Sequence, residues 1–234
     1  MYIFNNLLAR LLDTIAPRPC AICGRRLAIS EYTLCTVCNM QLPRTEFQRC
    51  PYDNEMAMEF WGRIPIEKAA ALFFFMPKDP VSSVVYACKY AHHPDYCEYM
   101  GRLIATEFCR YKFFDTIDAI MAMPLAGNRQ KERGYNQSYE IAKGVSKITG
   151  IALLENIVAR KTFEQTQTKL NRWERMENVE HAFTLLEPDK IKGKHILIID
   201  DVVTTGASII ACATAMMACG DVKFSVLSLG FTKH

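Results

Sequence analysis

His195-Ile-Leu-Ile-Ile-Asp-Asp-Val-Val-Thr-Thr-Gly-Ala-Ser208 is the stretch on which the fold turns. An apolar run delivers two adjacent carboxylates, Asp200 and Asp201, to the carboxyl end of a buried strand, the edge at which open α/β sheets place their ligands. Val202, Val203, Thr204, Thr205, Gly206, Ala207 and Ser208 then lead into a helix. Hydroxyls, a glycine that admits close backbone approach and free N–H groups at a helix N-terminus make an anion cradle. An acid pair followed by such a cradle suits a ligand with hydroxyls beside a phosphate, as in ribose 5-phosphate. The carboxylates accept from ribose hydroxyls, directly or through Mg²⁺, while the turn holds the phosphate. Polar capping of a buried strand would explain the hydroxyls but not two ionised groups in succession.

Outward from this motif, residues 69–76 (between Pro65 and Pro77), 118–123 (stopped by Pro124), 151–158 and 222–229 read as strands. Residues 81–90, 96–114, 136–149 and 207–219 read as helices, and residues 160–180, polar and without a clean period, as a long loop or flap. Strands alternating with helices predict a mostly parallel sheet covered on both faces, an α/β fold. Arg129, Lys131 and Arg133 follow the 118–123 strand and read either as a diphosphate clamp or as a solvated charged loop. Gly134 beside Arg133 lets the backbone bend toward a ligand.

The cysteines divide into two sets. Cys20-Ala-Ile-Cys23 and Cys35-Thr-Val-Cys38 form a paired CxxC arrangement, in which each turn aims two thiolates at one point and two turns complete a tetrahedral sulfur shell for a structural Zn²⁺. Cys50-Pro51 opens like a further knuckle, but Asp53 stands where its partner cysteine would be, so Cys50 is either a spare thiol or an alternative ligand. Cys88, Cys97, Cys109, Cys212 and Cys219 read as small buried or half-buried hydrophobes of a reducing compartment. His92, His93, His181 and His195 lack ligand spacing and read as loop or surface residues.

The 234 residues are half hydrophobic and 23% charged, with a formal net charge of +3, which excludes a disordered chain and neither requires nor forbids a local basic groove. No apolar run approaches the roughly 18 residues of a membrane span. Ile3, Phe4, Leu7, Leu8, Leu11, Leu12 and Ile15 recur at helical spacing, while Arg10 and Asp13 interrupt the run and no small-residue cleavage site follows. Residues 3–15 therefore read as an amphipathic helix docked on the protein itself, and the expected location is the cytoplasm. The expected division is a helix and zinc module over 1–62 followed by an α/β domain over 63–234.

The 195–208 string resembles the diphosphate-sugar signature of type I phosphoribosyltransferases, whose ligand is phosphoribosyl pyrophosphate (PRPP). Met123-Pro-Leu-Ala-Gly-Asn-Arg-Gln-Lys-Glu-Arg-Gly-Tyr-Asn-Gln137 resembles the proline-leucine and Arg-Gly-aromatic-Asn-Gln pattern of ComF/ComFC-type proteins, relatives of the amidophosphoribosyltransferases. Arg160, Gln167, Leu170, Arg175, Asn178 and Phe183 are similar in spacing to that family's flap, and Lys89-Tyr90 before a helix and the paired CxxC also fit. The resemblance spans essentially the whole chain in family order. Departures are Asp53, which leaves a third CxxC incomplete, and Glu164, where a threonine is common.

What the resemblance implies is a type I phosphoribosyltransferase-like fold binding PRPP with Mg²⁺. Residues Asp200 to Ser208 would meet the sugar phosphate, and Leu125, Arg129, Arg133, Gly134, Asn136, Gln137, Gln167 and Arg175 the pyrophosphate and flap. It also implies a part in DNA uptake for natural transformation, on single-stranded DNA beside a helicase-like partner. In a transferase, Mg²⁺ and Arg133 would draw charge onto the departing pyrophosphate while Asp200 and Asp201 hold a ribose of oxocarbenium character. The flap would exclude water. No acceptor pocket is legible. Two competing readings are a non-catalytic adaptor for single-stranded DNA or protein and a ligand sensor that kept the fold. Tyr32, Phe47, Tyr52, Phe60, Trp61 and Tyr135 are candidates for base stacking, with core packing the role expected of several.

Overall fold

The computed structural model describes residues 17–90, 93–125, 134–161 and 182–233. The expected helix over 3–15, the basic residues Arg129, Lys131 and Arg133, and the flap residues Gln167 and Arg175 lie outside the described residues, as do His92 and His181.

Five strands form one wholly parallel sheet. In chain order they are β1 (Ile66–Phe74), β2 (Ala119–Ala122), β3 (Leu153–Leu154), β6 (His195–Val203) and β7 (Lys223–Phe231). Their order across the sheet is β1-β7-β6-β2-β3, with Ile198 opposite Val226 on one side and Met121 on the other. A separate antiparallel pair, β4 (Val158–Arg160) and β5 (Phe183–Leu185), flanks residues 162–181. The expected strand over 151–158 is thus divided between β3 and the start of β4.

The helices are α1 (Thr36–Met40), α2 (Glu55–Met58), α3 (Ser82–Tyr90), α4 (Pro94–Cys109), α5 (Gln137–Thr149) and α6 (Ala207–Met217). The helix expected to run to residue 114 ends at Cys109, and Lys112 and Thr116 in the following turns take positive φ of 55° and 72°. Cys109 is exposed rather than buried.

Central strands buried on both faces read as near-continuous apolar runs, and β6 does so over residues 196–199, while β7 is buried over residues 224–231 with Ser225 and Ser228 among its apolar residues. Strand pleating sorts their side chains. Leu197, Ile199, Leu227 and Leu229 join Val84, Val85, Met100, Ile104, Ile141 and Val145 of α3, α4 and α5 in one core. Ile196, Ile198, Phe224 and Val226 join Ile209, Cys212 and Met216 of α6 in the other. On the first face α4 and α5 cross with almost no side chain between them. A Cβ on Gly101 would collide with the Ile141 carbonyl, and one on Gly144 with the Glu98 carbonyl.

The N-terminal segment wraps the β1 edge and touches both faces. Cys20, Leu27, Leu34, Cys35, Cys38 and Leu42 belong to the α4/α5 core, whereas Met56, Ala57 and Phe60 belong to the α6 core. Between them the chain runs beside β1, with Thr45 N donating to Leu72 O at 3.2 Å, Phe74 N to Pro43 O at 2.8 Å and Ala69 N to Pro51 O at 2.8 Å. These bonds cover a strand edge that would otherwise present unpaired backbone groups. Lys68, buried in β1, donates to the carbonyls of Phe113 at 2.9 Å and Asp115 at 2.6 Å, and its burial lowers its pKa.

Candidate functional site

Two constellations carry chemistry. The first is the cysteine cluster. The Sγ atoms of Cys20, Cys23, Cys35 and Cys38 all lie within 4.8 Å of one another, and Cys23 and Cys35 are 3.8 Å apart. A tetrahedral shell with Zn–S bonds of about 2.3 Å has sulfur–sulfur edges of about 3.8 Å, so the donor set and its spacing fit Zn²⁺. Backbone amides support the sulfurs: Cys35 N donates to Cys20 Sγ at 3.3 Å and Cys38 N to Cys35 Sγ at 3.4 Å. Burial pushes the Cys20 thiol up, but the N–H groups of Cys23, Cys35 and Ile22 outweigh it and bring the pKa down to about 7. Cys38 is pushed up by burial and by the neighbouring sulfurs. A cluster with one easily formed thiolate among crowded sulfurs is suited to a cation that neutralises the set. Cys50 is exposed and stands outside the cluster.

The second constellation is at the carboxyl end of β6. Asp200 and Asp201 find different partners. Asp200 Oδ1 accepts from Ser138 Oγ at 2.9 Å and from the Asp201 amide at 2.9 Å. Asp201 Oδ2 lies 3.0 Å from Lys89 Nζ at the end of α3. Burial, with the neighbouring Asp201 charge, pushes Asp200 up to about 7, against the Asp201 amide, the Ser138 hydroxyl and Lys89, which favour the ionised form.

Beyond the acids, Val202 and Val203 complete β6, and Thr204, Thr205, Ala207 and Ser208 are exposed around a cradle of about 90 Å³. Gly206 caps α6 in the left-handed conformation, φ 67°, and a Cβ there would sit 2.7 Å from Phe60 Cε1. The turn therefore rests on a buried aromatic from the N-terminal segment. No side chain caps α6, and Gly206, Ala207, Ser208 and Ile209 at its start line the cradle, a position at which helix N-terminal amides can receive an anion. Oxygen donors from Asp200 and Asp201 beside this turn match the hard-ligand preference of Mg²⁺.

The described part of the 123–137 motif converges on the same edge. Asn136 caps α5, accepting from Ser138 N at 3.0 Å while its Nδ2 donates to Met123 O at 2.9 Å, which ties the end of β2 to the helix carrying Ser138. Gly134 has φ 79°, Gln137 is fully buried, and Tyr135 OH donates to Cys88 O at 2.6 Å, next to Lys89. Leu125 and Asn136 line a neighbouring cavity of about 580 Å³, together with Tyr135, Tyr139, Glu155 and Arg160.

One sequence expectation changes, and the aromatics are sorted between core and surface. His195 is buried at the start of β6 rather than on the surface, with Nδ1 2.8 Å from Thr116 O and Nε2 2.8 Å from Ser225 Oγ. Phe60 is a core residue and no stacking platform, and Phe47 is half-buried against Phe74 and Phe231. Ser138 and Phe60, which contact the acid pair and its turn, had no part in the sequence reading of the site.

No family model matches the chain. The chain is 27% identical over 224 residues to the DNA utilization protein YhgH of Escherichia coli (strain K12), covering 91% of this chain and 96% of that protein. The match to the DNA utilization protein YhgH of Salmonella typhimurium has the same extent and identity. Over 93 residues, 39% of this chain and 41% of the relative, it is 34% identical to competence protein F of Haemophilus influenzae. The chain is thus similar to proteins named for DNA utilization and for competence. These likenesses bear out the resemblance to the ComF/ComFC family, and the parallel sheet bears out the α/β fold, with four clustered N-terminal cysteines that could hold a zinc ion. Among the described residues no helix is long and apolar enough to cross a membrane.

Proposed function

We propose that this chain is a DNA-utilization protein of the competence kind, acting in the cytoplasm, whose α/β portion binds PRPP or a related phosphorylated ribose with Mg²⁺. The names of its relatives support the DNA role. The observation that carries the ligand is the acid pair set beside an uncapped helix N-terminus behind a left-handed glycine. Asp200 and Asp201 hold the ribose hydroxyls and the cation, and the 204–208 turn holds the 5′-phosphate. Leu125, Gly134, Asn136 and Gln137, with Arg129, Arg133, Gln167 and Arg175, serve the pyrophosphate and the flap. Zinc fixes the N-terminal module, and single-stranded DNA with a helicase-like protein are the partners. Calorimetric titration of the zinc-loaded protein with PRPP and Mg²⁺ tests the ligand: the parent shows saturable heat that Asp201→Asn abolishes. Equal binding by parent and variant sinks the assignment.

A second reading, an active phosphoribosyltransferase, is favoured by the cavity of about 580 Å³ beside the cradle, which offers an acceptor room. Release of pyrophosphate that depends on an added amine or base supports it, and PRPP binding without turnover across such a screen removes it.

A further inference from the structure

Away from the acid pair, the cysteine module and α4 form a surface of distinct chemistry. Tyr32, in the loop joining the two CxxC turns, is 59% exposed. Its ring centroid is 6.0 Å from that of Tyr99 on α4, with the planes tilted by 32°. The Arg18 guanidinium lies 5.9 Å from the Tyr32 centroid and is held there by donation to Glu31 O at 3.0 Å. The two rings open onto a groove of about 290 Å³ whose other walls are Arg102, Leu103 and Thr106. Arg102 and Thr106 are exposed one turn apart on α4, and Arg25 and Arg26 are exposed on the module.

The groove is lined by two phenol rings, Leu103 and Thr106, with the Arg102 guanidinium among them. The described module residues 17–50 carry five arginines against two glutamates; near the rings Arg25 lies 3.8 Å from Glu31 and Arg102 3.8 Å from Glu98. Aromatic faces interleaved with arginines are what an unpaired polynucleotide strand recognises, through stacking on the rings and phosphate contact at the cations. The rings stand too close for a base to enter between them, so a base lies against them in the groove.

We propose that the Tyr32–Tyr99 groove is a stacking site for one base of a single-stranded nucleic acid, with Arg102 and Arg25 meeting the flanking phosphates. This rests on the DNA role given under the proposed function and is independent of the ribose phosphate site.

The experiment is fluorescence anisotropy of a labelled oligothymidylate with the zinc-loaded full chain, over a series of salt concentrations. The parent is expected to bind, Tyr32→Ala to weaken binding roughly tenfold, and Tyr32→Phe to retain it. Arg102→Gln reduces the slope of log affinity against log salt by about one. Zinc content is measured for every variant. If Tyr32→Ala loses metal, Arg102→Gln decides the matter, since it does not touch the cluster. A parent that binds while Tyr32→Ala and Arg102→Gln bind equally well overturns the groove but leaves the DNA role standing. A parent that does not bind overturns both.

Discussion

Lys89 Nζ lies 3.0 Å from Asp201 Oδ2, so the outer carboxylate of the acid pair carries a counter-ion delivered from the end of α3. A lysine so placed competes with any cation that the pair would hold. Lys89→Met removes the competing charge, and the affinity for Mn²⁺ in the absence of sugar phosphate should rise severalfold. Titration followed by electron paramagnetic resonance checks this. Unchanged or weaker Mn²⁺ binding would show that the pair is not a cation site.

Asp200 gives a pH dependence of defined sign. Its folded-state pKa of about 7 lies above the ordinary value of 3.8, so folding favours the protonated form. The stability it contributes is complete below about pH 4 and is lost as pH rises through about 7. Asp200→Asn should therefore stabilise the ligand-free protein more at pH 8 than at pH 5.5, by on the order of 1–3 kcal/mol. Urea unfolding of both proteins at the two pH values measures the difference, and a gain equal at both would contradict the burial of that carboxyl.

The helix crossing is a stability prediction. Because a Cβ on Gly144 meets the Glu98 carbonyl, Gly144→Ala cannot be absorbed by a rotamer change and α4 must move from α5. The expected cost is roughly 1–3 kcal/mol or more. Thermal unfolding at a matched zinc content reads it, and a variant as stable as the parent would contradict the close approach.

For the cysteine cluster, Cys20→Ser or Cys38→Ser should drop bound zinc from about one per chain to near zero and loosen the N-terminal module. Cys50→Ser should leave the content unchanged, since Cys50 is exposed outside the cluster. Metal analysis by mass spectrometry decides between four ligands and a shared set.

What could be read from the chain was what lies close along it. Two CxxC turns, and an acid pair running into Thr204-Thr-Gly-Ala-Ser208, are contiguous signals; the four cysteines do cluster, and Asp200 and the turn line one cradle. The supports of the site were not legible because they come from distant segments. Phe60 reaches under Gly206 and Ser138 reaches Asp200 only once β6 lies beside its neighbours, and Lys89, singled out by the resemblance, shows its contact with Asp201 only there. The close helix crossing had left a trace, since Gly101 and Gly144 interrupt otherwise helical patterns. His195 was misread because lack of ligand spacing says nothing about burial. Its ring nitrogens are satisfied by Thr116 and Ser225, from the turn before β2 and from β7.

The central claim is that the turn after Asp201 holds a sugar phosphate. The most direct measurement is ³¹P NMR of PRPP with Mg²⁺, titrated with the zinc-loaded protein, because the 5′-phosphate and diphosphate resonances are read separately. The account predicts that the parent shifts or broadens the 5′-phosphate resonance. Gly206→Ala, which sets a Cβ against Phe60 and strains a left-handed turn, should abolish the effect. A 5′-phosphate resonance that the parent leaves untouched, or that Gly206→Ala perturbs equally, would contradict it.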